Sequence, residues 1–464
     1  MKFDGKIVRL GDVVTLQSGN TPSKSEPNFW EGEFPWASAK DMKKFFISNT
    51  TNKLTKLGVA KASRVVEVGA TLILTRGMTL VKNVPICVVN QPTSFNQDLK
   101  AVIPKDGLIE TDFIPYLLLG NKSRIHALVD LAGHGTGRLA TKPFLNLDVY
   151  IPEAQDRRRI VSLFQGLDKK IEINRQINQT LEQISQATFK SWFVDFEPVK
   201  AKVIARNVLL ASKPTATKQT ILEVERLAAI EAISGVGEDD SIKELQKLAD
   251  LFPSQLDESD RGEIPFGWKR GSFSAVFEER KEKVKERIDV KVVSAVQTGE
   301  LKVPEDVFNK QIHSKDTSKY KLVYPTDLAY NPSRINIGSG GFNLFGYMGA
   351  VSPVYSVMKL KEGNLLAFAR MQMKRKLIKE WINNLCSGSV RQSLSVNDLL
   401  SIPITIPSDD LLNEFNQVFE AIERNTSALK DENRTLEFIR NTLLKKLLLG
   451  EVDLTNNQKE VVNG

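Results

Sequence analysis

Arginine, asparagine and glutamine present donors and acceptors spaced to pair with guanine and adenine edges. In this chain they recur in polar, turn-forming segments at corresponding places in its two halves. The first half has Arg76 in Thr75-Arg76-Gly77, then Asn96 and Gln97 in Ser94-Phe95-Asn96-Gln97-Asp98. It closes with Gly133-His134-Gly135-Thr136-Gly137-Arg138, followed by Lys142. The second half has Asn331 and Arg334 in Asn331-Pro332-Ser333-Arg334, then Asn336, the turn 338–341, and Arg391 with Gln392 in the segment 387–392. Glycine, serine and threonine among them let backbone amides approach phosphate closely. Arg138 and Arg391, in matching loops ahead of a long helix, are the pair most expected to read bases. For each residue the competing reading is an ordinary solvated loop.

Residues for catalysis are harder to assemble. No GxxxxGK[ST] run could cradle nucleotide phosphates. Asn331-Pro332-Ser333-Arg334 shares only its first two residues with the Asn/Asp-Pro-Pro-aromatic loop of adenine amino-methyltransferases. Asp98-Leu99-Lys100, with Glu67 upstream, is an acid-x-lysine of the kind metal-dependent nucleases use, but such triplets arise often by chance when 26% of residues are charged. His126, His134 and His313 form no zinc-type spacing.

The elements that must position these residues are duplicated. Ile151-Pro152 and Ile406-Pro407 each open a long amphipathic pattern. At one constant offset, Phe164 falls on Phe419, Leu167 on Ile422, Asn178 on Asn433, Leu181 on Leu436 and Ile184 on Ile439. In the first copy Ile160, Phe164, Leu167, Ile171, Leu181 and Ile184 form an apolar 3-4 stripe with Asn174 and Asn178 between them, the pattern of a coiled-coil seam. Each helix would be about 60 Å long. A single apolar stripe is unstable without a partner face, so the copies are expected to pack on each other, antiparallel. Asn178 and Asn433, at equivalent seam positions, are candidates to fix register.

The expected fold class is α+β, an internal repeat of two α/β domains separated by two antiparallel spacer helices. The expected divisions are 1–153 for the first domain, 154–197 for its helix and 198–263 for a helical, partly mobile connector. The second domain follows at 264–407, its helix at 408–450 and a flexible tail at 451–464. Within them, 70–75 and 84–89 read as buried strands, and 112–131 as helix interrupted at Gly120-Asn121. Residues 147–151 read as a closing strand, 327–330 and 351–358 as inner strands, and the mixed-charge run 278–287 as a solvated helix face.

Composition sets outer bounds. At 464 residues the chain exceeds one compact domain. Its net charge of +8 permits a polyanionic partner without requiring one. No apolar run is long enough to span a bilayer. The opening residues lack a secretory pattern, and the two cysteines, Cys87 and Cys386, fit a reducing cytoplasm.

Several segments resemble the DNA specificity subunits of type I restriction-modification systems. Leu10-Gly11-Asp12-Val13 through Ser18-Gly19-Asn20-Thr21-Pro22 looks like the opening of a target recognition domain. Residues 133–142 leading to Ile151-Pro152, and 387–395 leading to Ile406-Pro407, look like exits into a spacer helix. Ser191-Trp192-Phe193-Val194-Asp195-Phe196 is similar to the end of the central helix, and Pro265-x-Gly267-Trp268 to the start of a second recognition domain. The second domain lacks the Leu-Gly-Asp opening. The resemblance implies a non-catalytic subunit whose two domains read the halves of a split, asymmetric site in double-stranded DNA. Its helices would set the gap between the halves and dock two modification (methyltransferase) subunits, and restriction subunits would add translocation and cleavage. S-adenosylmethionine, ATP and Mg would then belong to those partners. An enzyme with a degenerate motif and an adaptor that binds no DNA remain the alternatives.

Overall fold

The computed structural model describes residues 5–62, 64–132, 135–233, 242–258, 262–286, 290–296, 299–303, 316–386, 393–449 and 451. The chain is α+β and divides into two compact units. One is built from residues 1–177 and 428–464, the other from 178–427. Two helices of 40 residues each, Ala154–Phe193 and Asp409–Leu448, contribute to both.

The first unit is organised by a five-stranded sheet in the order Val14–Ser18, Leu99–Pro104, Thr71–Leu74, Ile86–Val89, Phe46–Ile47. Thr71–Leu74 and Ile86–Val89 are buried throughout, which is why they read as uninterrupted apolar runs rather than alternating ones. A second, four-stranded sheet contains Trp30–Ala37 and Thr93–Phe95. Leu72, Leu74, Phe95, Phe113, Leu117 and Phe144 share one core with Phe164 of the first long helix and Leu444 and Leu448 of the second. Gly120 lies where that core meets the second helix, and a Cβ there would press on Leu448 Cδ1, with Leu444 O 3.3 Å away. The helix Ile114–Gly120 ends at Asn121, whose Nδ2 donates to Leu117 O at 2.9 Å.

The stretch 112–131 departs from its helical reading at its end. Helix Lys122–His126 closes it, and Val129–Ala132 is a strand. Alternation in Val129-Asp130-Leu131 is too short to outweigh the preceding helical period, so pairing with Thr136–Leu139 decides it.

In the second unit Phe277–Glu279, Ser356–Leu360, Leu328–Tyr330 and Gly340–Phe342 form a four-stranded sheet. The charged run 278–287 therefore begins in a strand, and its described residues contain no helix. Arg280 explains part of its polarity: its guanidinium binds buried Asp327 at 2.6 and 3.2 Å. The expected inner strand 351–358 is two strands, Gly349–Val351 and Ser356–Leu360, joined by a turn in which Tyr355 N donates to Ser352 O.

The described part of the connector is helical and packs into the second unit. Helices Glu197–Ser212, Lys218–Ile233 and Ile242–Leu251 place Ala229, Ile233, Ala249 and Phe252 in the core of the second unit. Phe252 meets Trp192 edge-on with centroids 5.4 Å apart. A buried lysine, Lys202, donates to Phe252 O at 2.6 Å.

Each domain is closed in the same way. Asp148–Ile151 pairs antiparallel with Lys6–Arg9, and Pro403–Ile406 pairs antiparallel with Lys269–Ser272. The chain's entry into a domain is thereby stitched to its exit, immediately ahead of a long helix.

Candidate nucleic-acid interface

Two of the predicted residues meet on a small surface sheet of the first unit. Its strands run in the order Val129–Ala132, Thr136–Leu139, Arg76–Gly77. Arg138 lies directly opposite Arg76 on one side and Asp130 on the other. Directly opposed residues project from the same face of a sheet. Arg76 and Arg138 are exposed, and neither has an ion-pair partner among the described residues. Two like charges in register destabilise a sheet slightly, an effect that Asp130 opposite Arg138 offsets in part.

Glycine makes this arrangement possible. A Cβ at Gly137 would sit 2.6 Å from Leu80 Cβ and 3.2 Å from Gly77 O. The face opposite the arginines thus packs closely on residues 77–80. Arg138 lies in a strand rather than the expected loop, because Gly135, Thr136 and Gly137 lead straight into the pairing. Gly133 and His134 lie outside the described residues. Lys142 is exposed in the short helix Thr141–Leu145 that follows. Asp130 is not marked by the sequence pattern, since strand register alone brings it beside Arg138.

Asn96 is a correction. It is buried rather than on an open loop, with Nδ2 donating to Asp98 Oδ2 at 3.2 Å and Oδ1 left without a hydrogen-bond partner among the described residues. Gln97 beside it is exposed and accepts from Thr21 Oγ1 at 2.5 Å. Asn20 N donates to Phe95 O at 2.9 Å, which brings the 18–22 segment onto the 94–98 turn. Of the nuclease-like triplet, Lys100 Nζ is bound to Ser18 Oγ and Asp98 to Asn96. No group of three metal-ligating side chains occurs among the described residues.

In the second unit Asn331 organises a tight turn. Its Oδ1 accepts from Ser333 N at 3.1 Å, its own N donates to Ser339 O at 2.9 Å, and Ser339 N donates to Arg334 O. Arg334 and Asn336 are exposed on this turn. Arg391 and Gln392 lie outside the described residues. Leu394 N, just beyond them, donates to Pro332 O at 3.0 Å, so the chain passes this turn on its way to the closing strand.

The seam residues divide between the units. In the first, Phe164 is fully buried, Leu167 packs against the same core, Asn433 is buried and Leu436 is half-buried. Ile439 departs from expectation at 38% exposed, because its neighbour Arg440 turns inward to Asp168. Helical geometry of 3.6 residues per turn drifts from a strict 3-4 stripe, and the ion pair takes the position. In the second unit Phe419 is buried, while Asn178, Leu181, Ile184 and Ile422 are half-buried. Asn433 Oδ1 accepts from Asn174 Nδ2 at 3.0 Å, and Asn178 belongs to the second unit.

Two α/β domains, each leading into a 40-residue helix, with Arg76 and Arg138 exposed on one surface sheet, define the class of architecture. The profile of the type I restriction modification DNA specificity domain matches residues 4–183. The chain is 27% identical over 375 residues to the type I restriction enzyme HindI specificity subunit of Haemophilus influenzae, covering 75% of this chain and 79% of that one. It is 26% identical over 208 residues to the type I restriction enzyme MjaIX specificity subunit of Methanocaldococcus jannaschii, covering 44% and 47%. The crystal structure of a type I restriction-modification S subunit from M. genitalium aligns over 97% of this chain and 96% of that one, with a TM-score of 0.45 and 13% identity. Residues 4–183 are thus similar to a type I restriction modification DNA specificity domain. Among the described residues, no helix is long and apolar enough to cross a membrane.

Proposed function

We propose that this chain is the sequence-reading subunit of a type I restriction-modification complex, acting in the cytoplasm on a bipartite, asymmetric DNA site. Each domain reads one half-site, and the two long helices set the gap and dock two modification subunits. Methyl transfer, ATP-driven translocation and cleavage belong to the modification and restriction subunits, which carry S-adenosylmethionine, ATP and Mg. The chain itself supplies no catalytic group.

The observation that supports this most is the pair Arg76 and Arg138, exposed, unpaired and directly opposed across two strands. Their mutual repulsion falls when a polyanion lies over them, and a guanidinium fork matches guanine O6 and N7. Arg76→Ala and Arg138→Ala are each expected to weaken specific binding by about 1–3 kcal/mol if they contact bases. If they contact only phosphate, binding weakens uniformly across sequences and the salt slope falls by about one per residue.

A genome-wide adenine methylation map, with and without the gene, tests the whole reading. Loss of methylation at one two-part motif on deletion supports it and reveals the target. An unchanged map in a strain whose modification subunit is active refutes it. Cleavage or methylation by the purified chain alone would favour an enzyme instead. Absence of any salt-sensitive DNA binding by the assembled complex would favour an adaptor.

A further inference from the structure

In the first unit the long helices meet through polar, buried side chains. Asp168 of the first helix is 2% exposed, and it accepts hydrogen bonds from Arg440 Nη1 of the second helix and from Tyr116 Oη at 3.0 Å. Arg440 is itself buried, its guanidinium 5.5 Å from the Phe45 ring centroid. Tyr116 and Phe45 belong to the recognition domain, so three parts of the unit converge on one ion pair. Further along, fully buried Asn174 donates to Asn433 Oδ1 at 3.0 Å and Glu432 Oε2 at 2.7 Å, while Asn433 Nδ2 donates to Ile171 O at 3.3 Å.

The repeat does not reproduce this junction. The constant offset places Glu423 where Asp168 stands and Ser185 where Arg440 stands. In the second unit Glu423 binds Arg370 Nη2 of the domain helix Leu366–Lys374 at 3.1 Å. The helix pair there is aromatic instead, with Phe415 lying 5.7 Å from Phe189 and 5.1 Å from Phe193 between centroids. Apolar packing is non-directional and tolerates neighbouring alignments. A buried carboxylate and guanidinium are satisfied in one alignment, and displacement by a turn strands both without partners.

We infer that the Asp168–Arg440–Tyr116 junction, reinforced by Asn174–Asn433, determines the register of the helix pair and thereby the gap between half-sites. The second part rests on the proposed DNA-reading function; the first does not. Spin labels at the exposed positions Lys169→Cys and Lys445→Cys, in the full chain, read the register directly. The native cysteines Cys87 and Cys386 are buried. The otherwise unaltered chain should give one narrow distance.

Replacing the pair by Asp168→Leu with Arg440→Leu removes the charges together, a change that buried ion pairs commonly tolerate. The expected result is a second population displaced by about 5 Å, one helical turn. If this variant does not fold, Asn174→Leu with Asn433→Leu carries the same expectation. A single unchanged distance in the folded variant overturns the register assignment. In cells, the variant should methylate sites whose gaps differ by about one or two base pairs, a helical turn divided by a 3.4 Å rise. Split distances with one fixed gap would overturn the link to spacing. An otherwise unaltered chain that directs no two-part motif would refute the function while leaving the distance result intact.

Discussion

At the scale of single residues, charges here do two different jobs, and burial separates them. Arg280 binds Asp327, which is 2% exposed and whose carboxyl is pushed above its ordinary value by burial. Arg280→Ala leaves that carboxylate without its cation and should destabilise the second unit by about 3–5 kcal/mol in denaturant unfolding. Arg76 and Arg138 have no such partner, and their removal should leave stability nearly unchanged while DNA binding falls. Glu110 offers a pH test. Burial pushes its carboxyl up, but the hydrogen bond and charge of Arg157, 2.7 Å away, outweigh it and hold it below the usual value. A depressed folded value stabilises above the unfolded carboxylate range, and that stabilisation is lost as pH falls through the folded value. Glu110→Gln should therefore lessen the acid loss of stability, seen in unfolding midpoints collected across the acid range.

At the scale of elements, the sheet that carries the arginines depends on a residue with no side chain. Gly137→Ala would press a methyl group to within 2.6 Å of Leu80 Cβ, with backbone at 3.2 Å on the other side. The expected cost is about 1–3 kcal/mol of stability, with weaker DNA binding although both arginines remain. Full affinity in a folded Gly137→Ala protein would show that the sheet does not position them. Elements with long or uniform patterns were legible: both 40-residue helices and the buried strands at 71–74 and 86–89 follow from apolar spacing alone. Short elements were not. Val129–Ala132 and Phe277–Glu279 take their form from pairing with distant strands, and local composition pointed to helix in both places. The arginine pair was half legible, since residue type marked Arg76 and Arg138 separately and only register set them side by side.

At the scale of the whole molecule, the internal repeat is a repeat of architecture more than of contacts. Both domains close with a strand pair ahead of a long helix. The first unit nevertheless joins its helices through Asp168 and Arg440, and the second through Phe189, Phe193 and Phe415. Equivalent substitutions should therefore behave differently. Phe415→Ala should cost about 3–5 kcal/mol, as aromatic truncation in a packed core does. Asp168→Leu with Arg440→Leu should leave stability near its starting value and alter register instead. Denaturant unfolding of the two proteins under one set of conditions makes the comparison.

The sequence by itself determined the duplication, the two long helices, the α+β class and the residue types suited to reading bases. Each of these depends on periodicity or composition, which a chain carries without being folded. Tertiary structure alone decided that Asn96 is buried, that Asn433 meets Asn174, and that Arg440 is buried against Asp168 beside an exposed Ile439. Those outcomes depend on which groups become buried together. Most buried polar atoms find a partner, and for Asn433 and Arg440 that partner comes from a segment far away in the chain.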